Sequence, residues 1–158
     1  MPALDENKEL IKEISFTVVS DVAGDESEMF GEMFEEYYNK PLNSSSKSDD
    51  MLGFGVEGIL DISTPVVIGM VTSVTGFLFS EIVKTFREQS AEVIKDKVKK
   101  LFNKKTEVKK SELPELTSEQ FAIIKKLAKD EAVRFGASED MAEKMSSSLI
   151  GTMNLPHT

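Results

Sequence analysis

The chain has no cysteine, no tryptophan and a single histidine, His157, near its C-terminus. The missing cysteines exclude disulfides, thiolate nucleophiles and thiolate metal sites. One histidine excludes a His-pair metal site and leaves a Ser-His relay without support. Basic residues are also in deficit, with 19 Lys+Arg against 28 Asp+Glu and a net charge of -9 over 158 residues. That balance argues against nucleic-acid binding, which draws its affinity from cations on phosphates. The length suits one domain with appended segments and a modest core. With no nucleophile, metal cluster or phosphate loop in view, neither an enzymatic activity nor a cofactor is expected.

What is present is an uneven arrangement of charge. Residues 1–62 carry 15 acidic and 4 basic residues, and residues 63–80 carry none of either. Residues 81–110 then carry 10 basic and 5 acidic residues, and residues 111–158 carry 5 and 8. The uncharged stretch separating the acidic and basic regions gives the asymmetry its meaning.

Nearly everything reads as helix, so the expected fold class is all-α. Leu10, Ile11, Ile14, Val18 and Val22 recur at helical spacing, with Gly24 as a stop. Asp25 is placed to cap a second helix. On that helix Met29, Met33, Tyr37 and Phe30, Phe34, Tyr38 form two adjacent apolar rows opposite Glu28, Glu32, Glu35 and Glu36, and Pro41 ends it. These six apolar residues are a candidate partner-binding face, with burial in the core as the competing reading. Residues 43–62 read as a Ser/Gly-rich linker with an apolar segment. Ser63 or Thr64 followed by Pro65 is a helix-start signal. Nothing breaks the pattern until Asn103, which predicts a central helix of about 39 residues, roughly 58 Å long. Its first half is apolar. Its second half is basic and amphipathic, with Ile82, Phe86, Ser90, Ile94, Val98 and Phe102 four apart.

Residues 104–116 read as a basic linker. Thr117 with Gln120 has capping-box spacing and opens a helix through Phe121, Ile124, Leu127, Ala128 and Phe135. Gly136 closes it, and Ser138 opens a last helix bearing Met141, Met145, Leu149 and Ile150, so residues 117–158 form a C-terminal helical hairpin. The expected architecture is a bundle organised around the central helix, with acidic amphipathic helices over residues 1–42.

The nineteen residues Ile62 to Ser80 are uncharged. As helix they extend about 28 Å, close to the hydrocarbon thickness of a bilayer. Lys95, Lys97, Lys99, Lys100, Lys104 and Lys105 follow, a basic flank suited to anionic lipid or an acidic partner. Gly69, Thr72, Ser73, Gly76 and Ser80 make a stripe of small residues through which helices can approach closely. Against a span, the hydroxyls and glycines dilute the apolar content and no Trp or Tyr anchors either end. An all-round apolar helix is also what a soluble bundle places at its centre. The N-terminus, with Asp5 and Glu6, has no basic region of a secretory signal. A span with the basic flank on the cytoplasmic side would therefore send about 60 residues across without a leader. Insertion from a soluble or oligomeric form, its apolar helix covered by the acidic N-terminal helices until triggered, avoids that difficulty.

Other patterns fail on context. Gly53-Phe54-Gly55-Val56-Glu57-Gly58 spells G-x-G-x-x-G, but no strand precedes it and Pro65 soon follows. The glutamates of the second helix lack the histidines of a carboxylate metal site and read as a solvated face. Asn43-Ser44-Ser45 is a chance sequon, and Glu139, Asp140 and Glu143 make the last helix repellent to DNA.

Two functional readings follow. The first is a non-enzymatic protein that inserts or anchors its central helix in a membrane and self-associates there, as a pore-forming or membrane-disrupting effector or a tethered assembly component. Its partners are further copies, an anionic membrane and, through the hairpin, a protein, with no nucleic acid; its basic half lies on the cytoplasmic side. The second is a soluble, cytoplasmic helical adaptor or structural subunit whose apolar helix is its own core.

Overall fold

A computed structural model describes residues 2–39, 63–85, 89–102 and 117–153. Among them are six α-helices and one 3-10 helix, with no strand. Helix α1 (Pro2–Val22) follows the periodicity expected of it. Leu10, Ile11, Ile14, Ser15, Val18 and Val19 are buried, while Glu9, Glu13, Phe16, Thr17 and Ser20 face out. The helix runs into a 3-10 helix (Gly24–Met29) that contributes no buried residue. Helix α2 (Phe30–Asn39) follows. Asp25 therefore lies inside the 3-10 segment rather than capping a single long second helix. Six residues of tighter winding join α1 to α2 and turn the chain back on itself. Lys8 reaches Glu35 at 2.7 Å and the Phe16 ring meets Phe30 at 5.3 Å, so α1 and α2 run antiparallel.

The apolar stretch forms α3 (Thr64–Thr85), 22 residues long. The expected continuous helix to residue 103 is not what forms. Residues 89 and 90 are non-helical, and a separate α4 spans Ala91–Phe102. Ser90 starts α4 as its cap: its hydroxyl accepts from Val93 N at 3.2 Å and its carbonyl from Ile94 N at 3.1 Å. The physical reason is reach. A straight rod of about 58 Å would carry its second half away from helices half that length. Interrupting it lets Ile94, Val98 and Leu101 join the common core.

Helices α5 (Ser118–Arg134) and α6 (Glu139–Thr152) make the expected hairpin. Thr117 and Gln120 form a full capping box, with Gln120 N to Thr117 Oγ1 at 3.0 Å and Thr117 N to Gln120 Oε1 at 2.9 Å. Gly136 ends α5 at φ 120°, in the left-handed region where glycine carries no Cβ penalty. Its N–H donates to Val133 O and that of Ala137 to Ala132 O, which is a Schellman closure. Ser138 caps α6 by accepting from Met141 N at 3.1 Å.

All six α-helices feed a shared core centred on α3. Helices α1, α2, α4 and α5 pack directly on α3, and α6 closes the bundle against α1 and α5. The linkers at 43–62 and 104–116, with the G-x-G-x-x-G and sequon patterns, Lys104, Lys105 and His157, lie outside the described residues.

Candidate functional site

The site that needs explaining is α3, because it alone among the described helices is both uncharged over most of its length and as long as a bilayer core. Residues Thr64–Lys84 are long and apolar enough to cross a membrane, and half of that stretch is buried within the bundle. The burial is not spread evenly. From Ser63 to Val71 every residue is buried. Beyond that point Val74, Thr75, Leu78 and Ile82 remain buried while Gly76, Ser80 and Val83 are exposed, with Phe77 and Phe79 half-buried.

The closed end is sealed by two contacts. Across its N-terminus lies Glu26 of the 3-10 helix. Its Oε1 accepts from Thr64 N at 2.8 Å and Thr64 Oγ1 at 2.7 Å, and its Oε2 from Ser63 N at 2.9 Å. A carboxylate there meets the unpaired N–H groups and the positive end of the helix dipole together. Ser63 supplies its carbonyl to Val67 N at 2.9 Å, so the residue expected to cap the helix opens it with its backbone. On the flank, Gly69 lies under Phe135, where a Cβ would meet the ring at 2.6 Å.

The seam between α3 and α5 continues from that contact as a polar ladder. Ser73 Oγ donates to Glu131 Oε1 at 2.7 Å, and Arg134 Nη1 donates to the same oxygen at 2.9 Å. Further along, Gln120 Nε2 donates to Glu81 Oε1 at 3.1 Å while Lys84 holds Oε2 at 2.9 Å. The pairs 69–135, 73–131 and 81–120 show that the two helices are antiparallel. Hydrogen bonds from Lys84 first and Gln120 second hold the Glu81 carboxyl below the ordinary carboxylate range.

The small-residue stripe is thus divided. Gly69 and Ser73 are used inside the molecule, against α5. Thr72 is half-buried, with its hydroxyl donating back to Ile68 O at 2.7 Å. Gly76 and Ser80 face outward, and a Cβ added at Gly76 would meet nothing within 4 Å. With Phe79 and Val83 they form an uncharged strip at the surface.

The apolar rows of α2 point mostly inward. Phe30, Met33 and Phe34 are buried and Tyr37 and Tyr38 half-buried, so the proposed partner-binding face is occupied by the chain's own α1 and α3. Met29 is the exception at 59% exposed, because it belongs to the 3-10 segment and is out of phase with the helix that follows. Above this face, Lys8 and Lys12 both reach Glu35 and lie over the rings of Tyr38 and Phe34. The Lys8 hydrogen bond holds Glu35 below the ordinary carboxylate range and raises Lys8.

Lys95, Lys97, Lys99 and Lys100 lie on α4, whose opposite side is buried. Lys100 pairs with Asp96 at 3.0 Å, and Glu92 stands with Lys95, Asp96 and Lys99 around a cleft of about 310 Å³. The strip is therefore basic but partly neutralised by its own acids. A second cleft of about 720 Å³ opens between α1 and α6, lined by Thr17, Asp21, Val22, Lys144, Ser147, Ser148, Gly151 and Thr152. Among the described residues no three acidic or histidine side chains gather as metal ligands do.

Comparison with protein-family models, curated proteins and solved structures finds no match to this chain. The functional reading therefore rests on its own geometry.

Sequence reasoning overlooked Glu26, the Gln120 contact to Glu81 and the Phe135 ring over Gly69. The first joins residues 37 positions apart from within an acidic run, and no local spacing marks it. A partial signal existed for the last, since a glycine in an apolar helix interior often marks close approach by a neighbour.

Proposed function

We propose that this chain is a non-enzymatic, soluble helical bundle that serves as an adaptor or structural subunit, with α3 as its own core. The observation that carries the reading is the unbroken burial of residues 63–71, continued by Val74, Thr75, Leu78 and Ile82, beneath helices from both halves of the chain. An apolar helix enclosed by amphipathic helices with charged outer faces has satisfied its hydrophobic demand in water. Its partner is a further copy of the chain, docking along Gly76, Ser80 and Val83, an uncharged strip on a helix whose only charged residues are Glu81 and Lys84. Sedimentation of the full chain without detergent tests this. A soluble species that self-associates, and dissociates on Gly76→Leu with unchanged helicity, is the expected result. A monomer insensitive to that substitution would remove the proposed interface.

A second reading, insertion of α3 into an anionic membrane from this soluble form, is favoured by one specific feature. The open strip on α3 is uncharged, belongs to a helix of span length, and is followed by the lysines of α4. Flotation with vesicles containing an anionic lipid separates the readings. Complete recovery in the aqueous fraction supports the soluble subunit alone, and co-flotation supports insertion or surface attachment.

A further inference from the structure

We infer that the Glu26 carboxylate is a latch: it fastens the 3-10 helix that joins α1 to α2 over the mouth of α3. Releasing it opens that end of the helix while the C-terminal hairpin stays folded. Ser63 N, Thr64 N and Thr64 Oγ1 all point at one side chain, and their residues are only 8% and 0% exposed. Withdrawing the carboxylate strands buried donors at the positive end of a helix, where water must enter to satisfy them. Opening the first turn is the way to admit it.

The placement of Glu26 makes this contact a latch rather than one polar bond among many. The 3-10 helix that carries it has no buried residue, so no apolar side chain of its own anchors that segment. Such helices have poorer hydrogen-bond geometry than α-helices and yield more readily. Ala23, which leads into it, has φ -149° and ψ 62°, a break in helical winding at the joint between α1 and α2. The packing between α1 and α3 is imperfect in an independent respect. Ser15 of α1 and Thr75 of α3, on helices that pack together, both bury a hydroxyl with no hydrogen-bond partner among the described residues. Buried polar atoms of that kind oppose closure and mark a surface that can come apart. The hairpin, whose α5 packs on α3 and whose α6 packs on α1, carries both the capping box and the Schellman closure, so the ends of α5 are satisfied whether or not the 3-10 helix is seated.

What the opened helix then does depends on the membrane reading above; the latch itself is testable in water. Amide hydrogen exchange on the full chain, comparing wild type with Glu26→Ala and Glu26→Gln, is the experiment. Exchange at residues 64–71 should rise about tenfold or more in Glu26→Ala, as loss of a charge-assisted hydrogen bond implies. Amides at 118–134 of α5, which packs on α3, should change far less. Glu26→Gln, which keeps an acceptor oxygen but no charge, should fall between. Unchanged exchange at 64–71, or an equal rise across every helix, would overturn the latch. Adding phosphatidylglycerol-containing vesicles to the same proteins separates the two ideas. Binding by Glu26→Ala above wild type supports release of α3 to lipid. Local opening without vesicle binding keeps the latch and removes the membrane reading.

Discussion

The two ends of α3 solve the same problem differently. At its N-terminal end an apolar helix is fully enclosed, with its backbone donors taken by Glu26 and its flank pressed against Phe135. At its C-terminal end the same helix lies open along Gly76, Ser80 and Val83, and Glu81 holds it to α5 through Gln120. The enclosed turns are also the more apolar: residues 64–71 carry no charge and one hydroxyl side chain, whereas residues 72–85 carry Glu81, Lys84 and five hydroxyls. Side-chain volume and one distant acid, Glu26, add to that difference. Small residues are enclosed where a partner ring fills the space they leave, and are exposed where nothing does.

Truncation gives the largest contrast between the two ends. Ile68→Ala, at a site 2% exposed, should cost about 2–5 kcal/mol in urea unfolding. Val83→Ala, at 45% exposed, should stay within about 0.5 kcal/mol. Equal losses would erase the distinction. Enlarging the glycines reverses the chemistry and gives a somewhat smaller effect. Gly69→Leu must displace the Phe135 ring and should destabilise by about 1–3 kcal/mol despite its better helix propensity. At a concentration low enough for the wild type to be monomeric, Gly76→Leu should leave thermal stability unchanged or slightly raised, and a loss matching that at Gly69 would show the strip to be packed within the chain.

Filling the polar vacancy between α1 and α3 should act in the opposite direction. Thr75→Val removes a buried, unpartnered hydroxyl while keeping the shape, and should raise stability by about 1 kcal/mol. A lower melting temperature would mean that the hydroxyl is in fact satisfied. Acid gives the smallest effect, because the groups concerned lie near solvent and are screened. Glu81 and Glu35 both have lowered folded pKa values, so their contribution is present above the unfolded carboxylate pKa and lost as pH falls through the folded value. The melting temperature should therefore fall on acidification below about pH 4. In Glu81→Gln that fall should be shallower, and an identical acid slope would remove Glu81 from the explanation.

The contrast also sets what was legible in the sequence. The hairpin could be read because its signals are local: Thr117 with Gln120, Gly136 at a positive φ, and Ser138 before the last helix. The apolar rows of α2 could be read as a face, but not whether that face met a partner or the chain's own core. Continuity from Pro65 to Asn103 misled, since no further Pro interrupts it and its two glycines, Gly69 and Gly76, lie inside α3 rather than at its end. Ser90 fits the helical pattern and yet caps a new helix, because only a break returns Ile94, Val98 and Leu101 to the core. The acidic N-terminal region was visible as charge, but the one carboxylate that matters to α3 was not. Its role exists only once residues 26 and 63 meet.

The central claim is that a helix long enough to span a bilayer is the core of a bundle folded in water. Hydrogen exchange along α3, in full-length protein purified without detergent, tests it most directly. The account predicts that in the wild-type protein, with Glu26 seated, amides from Val67 to Val74 are strongly protected, within about tenfold of those of Ile124 and Leu149 in the hairpin. Fast exchange along α3 while the hairpin remains protected would contradict it.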